Sequence, residues 1–239
     1  GDWTEEELRR VSRETPAGEK LVAKFFFWAK VVGLGLARII FPEKGAYPEM
    51  LVLEYGADRP GDIAKLLEIA RPSIGVLTAI GDVPAHVEFY KDSGEVAKEK
   101  ARLIESVPPN GFTILNYDDE PVMKLRDRAR GHFLTYGFTK GAAVRLSRFS
   151  QFAEAGKPAG ISFRMEYGGS GATVRLGGVL GLSHAYAAGA AAGVGFVFGF
   201  NMAKITEGLS RYRAPRHRMQ ILPGVKDTVI IHDPYNASP

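Results

Sequence analysis

The stretch Met50-Leu51-Val52-Leu53-Glu54-Tyr55-Gly56-Ala57-Asp58-Arg59-Pro60-Gly61-Asp62 joins an unbroken apolar run to a carboxylate, then to a Gly- and Pro-containing turn that opens a helical pattern. An apolar run without polar alternation is what a strand covered on both faces requires, as in parallel sheets. The reading predicts a buried strand over 50–53 with Glu54 at its carboxyl end, where open α/β sheets place their ligands. A solvated strand-end residue is the alternative for Glu54.

Three further runs have the same form. Residues 74–81 (IGVLTAIG) lead into a loop carrying His86 beside Asp82 and Glu88. Residues 111–115 (GFTIL) end in Asn116-Tyr117-Asp118-Asp119-Glu120, and residues 228–231 (TVII) end in His232-Asp233-Pro234-Tyr235-Asn236. Helical patterns separate the first three runs, which argues for βαβ units and a mostly parallel sheet flanked by helices. Four polar clusters at equivalent positions predict one site along one sheet edge. His86 is a candidate ligand or acid–base group; a plain surface histidine is the alternative.

Between the runs, Asp62 opens a 3.6-period helix (Ile63, Leu66, Leu67, Ala70) that Arg71-Pro72 closes. A second helix from Ser93 to about Val107 carries Val96, Leu103, Ile104 and Val107 on one face, and Lys100 falls on that same face. A lysine there either snorkels to water or is held at the sheet edge, to meet phosphate or to carry a modification. A basic helix is expected from Asp119-Glu120 to about Gly131. Residues 135–180 change to short alternating segments punctuated by Gly168-Gly169-Ser170-Gly171, an antiparallel β insertion.

Two apolar stretches raise the question of a membrane. Leu21 to Phe41 contains Phe25-Phe26-Phe27-Trp28 but also Lys24, Lys30 and Arg38, so a clean span is not expected. Its Gly33-Leu34-Gly35 pair lacks the third glycine of a dinucleotide fingerprint. Val179 to Phe200 is uncharged apart from His184 but is rich in Ala and Gly. It is read as a core helix capped by Ser183 and packed closely through Gly189, Gly193 and Gly195. A helix over Met202–Tyr212 and a basic loop over 211–219 follow. The loop is either solvated or a phosphate contact.

The chain has 239 residues, a net charge of +4 and no cysteine. That length can bury a sizeable core, and the absence of cysteine excludes disulfides and thiolate metal sites. No Lys/Arg block signals nucleic acid. An exposed helix is expected over 4–14 with Thr4 as N-cap, broken at Pro16-Ala17-Gly18. The acidic start shows no signal peptide, and a first residue other than Met gives the expectation of a fragment or a processed chain.

Taken in order, these motifs resemble the Mur ligase family. The matching pieces are residues 53–58 and 60–63, Gly81 with Ala85-His86-Val87-Glu88, Ala97-Lys98-Glu99-Lys100, residues 115–119, Gly181 with His184, Arg218-Met219, and residues 233–239. The resemblance implies a P-loop-NTPase-like central ATP-binding domain over 31–224 and the start of a C-terminal domain over 225–239, with residues 1–30 unmatched. It implies ATP and Mg²⁺ as cofactors, with Glu54, His86 and a carbamylated Lys100 around the metal. Asn116 and Asp119 would lie near the adenine, Arg218 near the phosphates and Asp233 near the ribose; Lys100, His86 and Arg218 would be the catalytic groups. It further implies a cytoplasmic bacterial ligase of peptidoglycan synthesis, joining D-alanyl-D-alanine to a UDP-MurNAc-tripeptide through an acyl phosphate, with no stable membrane insertion. The family's G-x-x-x-x-G-K-[ST] phosphate loop has no match in residues 1–30, and the sequence departs from the family pattern at Ala79, Ala185, His217 and His232. Activity of this chain alone is therefore not expected. An inactive nucleotide- or partner-binding module and a membrane-associated non-enzyme are the alternatives.

Overall fold

The structure, a computed structural model, describes residues 21–41, 48–80 and 89–234. The expected helix over 4–14, the break at 16–18, most of the loop 42–48, and His86 with its loop lie outside the described residues. The chain divides into two units, Gly1–Glu54 and Tyr55–Pro239.

In the first unit, Leu21–Ile40 forms a helix, α1, where the sequence shows only an apolar stretch. Residues 50–53 form no strand, and their side chains are exposed, Val52 at 91 %. The buried strand expected there is a misreading. An apolar run is a strand only where neighbouring strands supply ladder hydrogen bonds, and no strand is found among the described residues of this unit.

The second unit is built on a six-stranded sheet in the order β1 (Ile74–Leu77), β2 (Phe112–Asn116), β3 (His132–Gly137), β4 (Val144–Glu154), β5 (Lys157–Tyr167), β6 (Ser170–Gly177). The pairings β1–β2, β2–β3 and β3–β4 are parallel; β4–β5 and β5–β6 are antiparallel hairpins. The α/β reading with an antiparallel insertion holds. β3 carries no strand signal in the sequence, because its first residues His132 and Phe133 are exposed and give no continuous apolar run. The run at 228–231 is not a further strand of this sheet. It forms β8 (Val229–His232), paired antiparallel with β7 (Gln220–Pro223) in a separate two-stranded sheet.

Helices cover both faces of the large sheet. Consecutive residues of β2 point to opposite sides: Ile114 joins a core with Tyr136, Leu146, Phe163, Ala185 and Ala192, and Leu115 joins one with Leu77, Val96, Ile104 and Val122. The second core belongs to α3 (Ser93–Ser106), which follows α2 (Asp62–Ile69) in the chain. Asp92 caps α3 by accepting from Glu95 N at 2.9 Å, and Glu95 accepts from Lys91 N at 3.0 Å. Glu99, almost fully buried on α3, accepts from Ile63 N at 3.0 Å and so ties the start of α2 to α3. The basic helix expected to Gly131 is shorter: α4 (Glu120–Lys124) gives way to a 3-10 turn over Arg126–Arg128.

The first core belongs to α5 (Leu182–Val197) and, beyond it, α6 (Met202–Ser210). Close packing through glycine holds as expected. An added Cβ would stand 3.0 Å from Leu146 and Tyr136 at Gly189, 3.0 Å from Ile114 at Gly193 and 3.1 Å from Ile205 at Gly195. Ser183 is not the cap, however. Gly181 occupies that position with φ +94 and makes no side-chain cap. Among the described residues no helix is long and apolar enough to cross a membrane.

Candidate functional site

Lys100, Asn116 and Asp119 come together beyond the carboxyl ends of β1 and β2. The Asn116 side chain spans the two strand ends: Nδ2 donates to Thr78 O at 2.9 Å and Oδ1 accepts from Asp118 N at 3.1 Å. Asp119 uses both oxygens, Oδ1 accepting from Val122 N at 2.9 Å as the cap of α4 and Oδ2 from Ile80 N at 3.2 Å. Lys100 reaches across from α3, and its Nζ donates to Ala79 O at 2.8 Å. Burial lowers the Lys100 pKa below the ordinary lysine value, and the negative charge of Asp119 partly offsets that. The lysine on the apolar face is thus held at the sheet edge.

Asp118 was quoted in the motif but not singled out, and it proves to be the hub of this edge. Its carboxylate accepts from Phe138 N, from Thr139 N at 2.9 Å and from the Tyr186 hydroxyl at 2.8 Å. It therefore ties the end of β2 to the loop after β3 and to the first turns of α5. These hydrogen bonds hold its pKa below the ordinary aspartate value, although burial, the largest single influence, pushes the other way. Burial raises the Tyr186 phenol to about 12, and the Asp118 charge adds to it. The available signal was position: Asp118 stands three residues past an apolar run, where a carboxylate can receive the free N–H groups of the neighbouring strand's loop.

Tyr136, opposite Asn116 in the β2–β3 register, is completely buried, and its hydroxyl has no hydrogen-bond partner among the described residues. A buried hydroxyl without a partner costs stability. Tyr136→Phe is expected to leave the melting temperature unchanged or raise it, with a gain of up to about 1 kcal/mol in urea unfolding.

A second polar group lies around the start of α5. His184 is buried, and its Nδ1 lies 3.0 Å from the Tyr212 hydroxyl. Burial holds its imidazole below the ordinary range. The Arg218 backbone and the charge of Asp233 pull it upward, and the Arg218 charge pushes it down. Arg218 and Asp233 belong to the β7–β8 hairpin, where Asp233 Oδ1 accepts from Met219 N at 3.1 Å. Leu180 N donates to Met219 O at 3.1 Å, docking the hairpin against the approach to α5. Both Arg218 and Asp233 are exposed. His217 Nδ1 and His232 Nε2 meet at 2.6 Å beside them.

Of the four residues expected on a single rim, Glu54, His86, Asn116 and Asp233, the described residues of the second unit hold two, and these stand at different sheets. Lys100, Asn116 and Asp119 share the sheet edge. Arg218 and Asp233 stand on a different sheet, connected to that edge through α5, which presents Tyr186 to Asp118 and His184 to Tyr212. Glu54 is exposed and belongs to the other unit, and His86 lies outside the described residues. Among the described residues no group of three or more His, Asp or Glu could hold a metal ion. Unmodified Lys100 is a donor only and does not fit a metal's first shell.

Residues 33–192 match the family model of the Mur ligase middle domain. The UDP-N-acetylmuramoyl-tripeptide–D-alanyl-D-alanine ligase of Mycobacterium tuberculosis (strain H37Rv) is 32 % identical over 200 residues, covering 80 % of this chain and 36 % of that protein. The UDP-N-acetylmuramate–L-alanine ligase of Aquifex aeolicus is 27 % identical over 213 residues, covering 87 % of this chain and 43 % of that protein. Among solved structures, the MurF ligase of Thermotoga maritima in complex with ADP superposes with a TM-score of 0.70 at 28 % identity, covering 81 % of this chain and 43 % of that one. The chain thus spans about two fifths of the length of the relatives it matches.

Proposed function

The chain belongs to the Mur ligase family, and on that premise we propose that it carries part of the nucleotide-handling machinery of a ligase that joins D-alanyl-D-alanine to a UDP-MurNAc-tripeptide. The observation that carries this reading is the 32 % identity over 200 residues to a ligase of that specificity. In the proposed reaction the tripeptide carboxylate takes the γ-phosphoryl group of ATP and becomes an acyl phosphate. The amine of D-alanyl-D-alanine then attacks the acyl carbon; phosphate leaves, and the amine's proton passes to a base. Positioning and cationic stabilisation of the transferring charge are what a protein contributes to such a step.

The chain's own residues would act as follows. Asn116 and Asp119 brace the strand ends and would form the wall beside the adenine. Arg218, exposed on its hairpin, would meet phosphate oxygens, and Asp233 would accept from a ribose hydroxyl. Burial lowers the Lys100 pKa below the ordinary lysine value, which eases loss of the proton that the ammonium must shed before the amine adds CO₂ to become a carbamate. That product would exchange a donor for an oxygen ligand suited to Mg²⁺, the chemistry the family resemblance implies. Unmodified, the described residues do not fit the metal.

The test is ADP binding by the chain, measured by titration calorimetry. Arg218→Ala is expected to weaken ADP about tenfold or more, the loss of one charge-assisted contact. Affinity unchanged in that variant, or no difference between ADP and adenosine, would overturn the assignment of Arg218 to the phosphates. In the ligation assay, phosphate release that depends on L-alanine rather than D-alanyl-D-alanine would move the chain to the alanine-adding branch.

A further inference from the structure

Arg218 is held through both of its neighbours. Before it, His217 Nδ1 meets His232 Nε2 at 2.6 Å; after it, Met219 N donates to Asp233 Oδ1 at 3.1 Å. The two tie points are consecutive residues at the end of β8, so the Arg218 backbone is bracketed against that strand. Residues 215–218 are exposed. Gln220 adds Oε1, which accepts from His217 N at 3.1 Å, and Nε2, which donates to Ala214 O at 3.4 Å. Both neighbours of Arg218 have left-handed backbone, φ +70 at His217 and φ +44 at Met219. A residue with a Cβ keeps that conformation only where its surroundings impose it. His217 and His232 are also two of the positions at which the sequence departs from the family pattern, and here they touch.

We propose that the His217–His232 contact is a latch: closed, it positions Arg218 for a phosphate oxygen of the nucleotide, and it opens when both rings are protonated. The inference rests on the reading of Arg218 as the phosphate contact. A single hydrogen can lie between the two ring nitrogens while at least one ring is neutral. With both rings charged, each nitrogen carries its own hydrogen and the contact becomes a repulsion. The nearby charges add to that repulsion. Arg216 and Arg218 flank His217 in the chain, and Arg213 lies on the same loop. The carboxylate beside His232 is Asp233, already engaged by Met219 N. On α5, His184 feels the charges of both Arg218 and Asp233, and its Nδ1 lies 3.0 Å from the Tyr212 hydroxyl. Opening at acid pH runs against what charge alone would give, since two imidazolium rings beside Arg218 would draw phosphate in. The sign of the pH effect therefore separates positioning from simple attraction.

The test measures ADP and adenosine binding by the full chain at about pH 8 and about pH 5.5, across the range in which histidine changes charge. At the higher pH, His217→Ala and His232→Ala should each weaken ADP about fivefold, the double alanine variant no more than either, and adenosine should not respond. In an Arg218→Ala background His217→Ala should add nothing, because it acts through Arg218. His217→Asn combined with His232→Gln keeps a hydrogen bond that does not titrate. That variant should match the parent within about twofold at the higher pH and bind ADP about fivefold more tightly than the parent at the lower. The terminal phosphate of ADP takes up a proton in the same range, equally with both proteins, so the comparison isolates the histidines. Exchange of the Met219 amide reads the latch without nucleotide. It should be faster in His217→Ala than in the parent at the higher pH, and faster in the parent than in the Asn/Gln variant at the lower. Alanine variants that bind ADP like the parent, a parent that binds ADP more tightly than the Asn/Gln variant at the lower pH, or a Met219 amide indifferent to these changes would overturn the latch. A parent chain that binds no ADP would overturn the phosphate role of Arg218 and the positioning claim with it, and the Met219 comparison would still decide whether the contact holds the loop.

Discussion

Asp118→Ala is expected to destabilise the Tyr55–Pro239 unit by about 3 kcal/mol, read as a fall of roughly 6–12 °C in melting temperature. Three donors lose their acceptor at once: Phe138 N, Thr139 N and the Tyr186 hydroxyl. Hydrogen bonds to a charged group are worth about 1.5–3 kcal/mol each when buried. The site is only partly enclosed, so water recovers some of that and the sum is discounted. Asp118→Asn tests the same contacts more finely. The amide keeps one acceptor oxygen but turns an NH₂ group toward N–H donors, so most of the loss should persist. A change below about 1 kcal/mol in both variants would remove Asp118 from the centre of this edge.

The same carboxylate sets a pH dependence whose sign follows from linkage. The folded-state pKa of Asp118 lies below its unfolded value of 3.8, so the folded protein holds the charged form more tightly. Its contribution is complete above the unfolded pKa and disappears as pH falls through the folded one. The stability gap between wild type and Asp118→Ala should therefore be constant above about pH 5 and should narrow at acid pH. Urea titrations of both proteins at matched pH measure that gap directly.

What could be read from the residues alone was set by how local each cause is. Strands β1 and β2 were legible because Ile74, Val76 and Ile114 face one core and Leu77 and Leu115 the other, so apolar residues fall on both faces. The run at 50–53 has the same texture and no pairing, because apolar character reports a demand for burial and says nothing about which neighbour will meet it. Lys100 was found because 3.6-residue spacing places residues on a face without tertiary information, and the Ala/Gly helix because a long uncharged run of small residues suits a closely packed core. Asp118 was overlooked for the opposite reason. Its partners lie 20, 21 and 68 residues away, and only the β2–β3 pairing brings them near. Asn116 and Asp119 were found at the expected edge, yet as they stand their polar atoms hold backbone, which spacing could not foretell.

Gly189→Leu should be at least as costly as the loss of Asp118, about 3 kcal/mol or more, because it inserts a side chain into a closed seam. The Cβ alone would lie 3.0 Å from Leu146 Cδ1 and 3.0 Å from Tyr136 Cδ2, both fully buried. Neither β3 nor β4 can retreat without disturbing the parallel ladder around Tyr136 and Val144. The helix must move instead. Gly189→Ala separates crowding from backbone effects: alanine gains about 1 kcal/mol of helix propensity over glycine, which should offset a shift of a few tenths of an ångström and leave stability nearly unchanged. Moving α5 also withdraws Tyr186 from Asp118, so the leucine variant and Asp118→Ala should share part of their cost. The double variant is then expected to lose less than the sum of the two, by roughly 0.5–3 kcal/mol in the double-mutant cycle. Strict additivity would mean that α5 stays in place and that the overpacking is absorbed within the sheet.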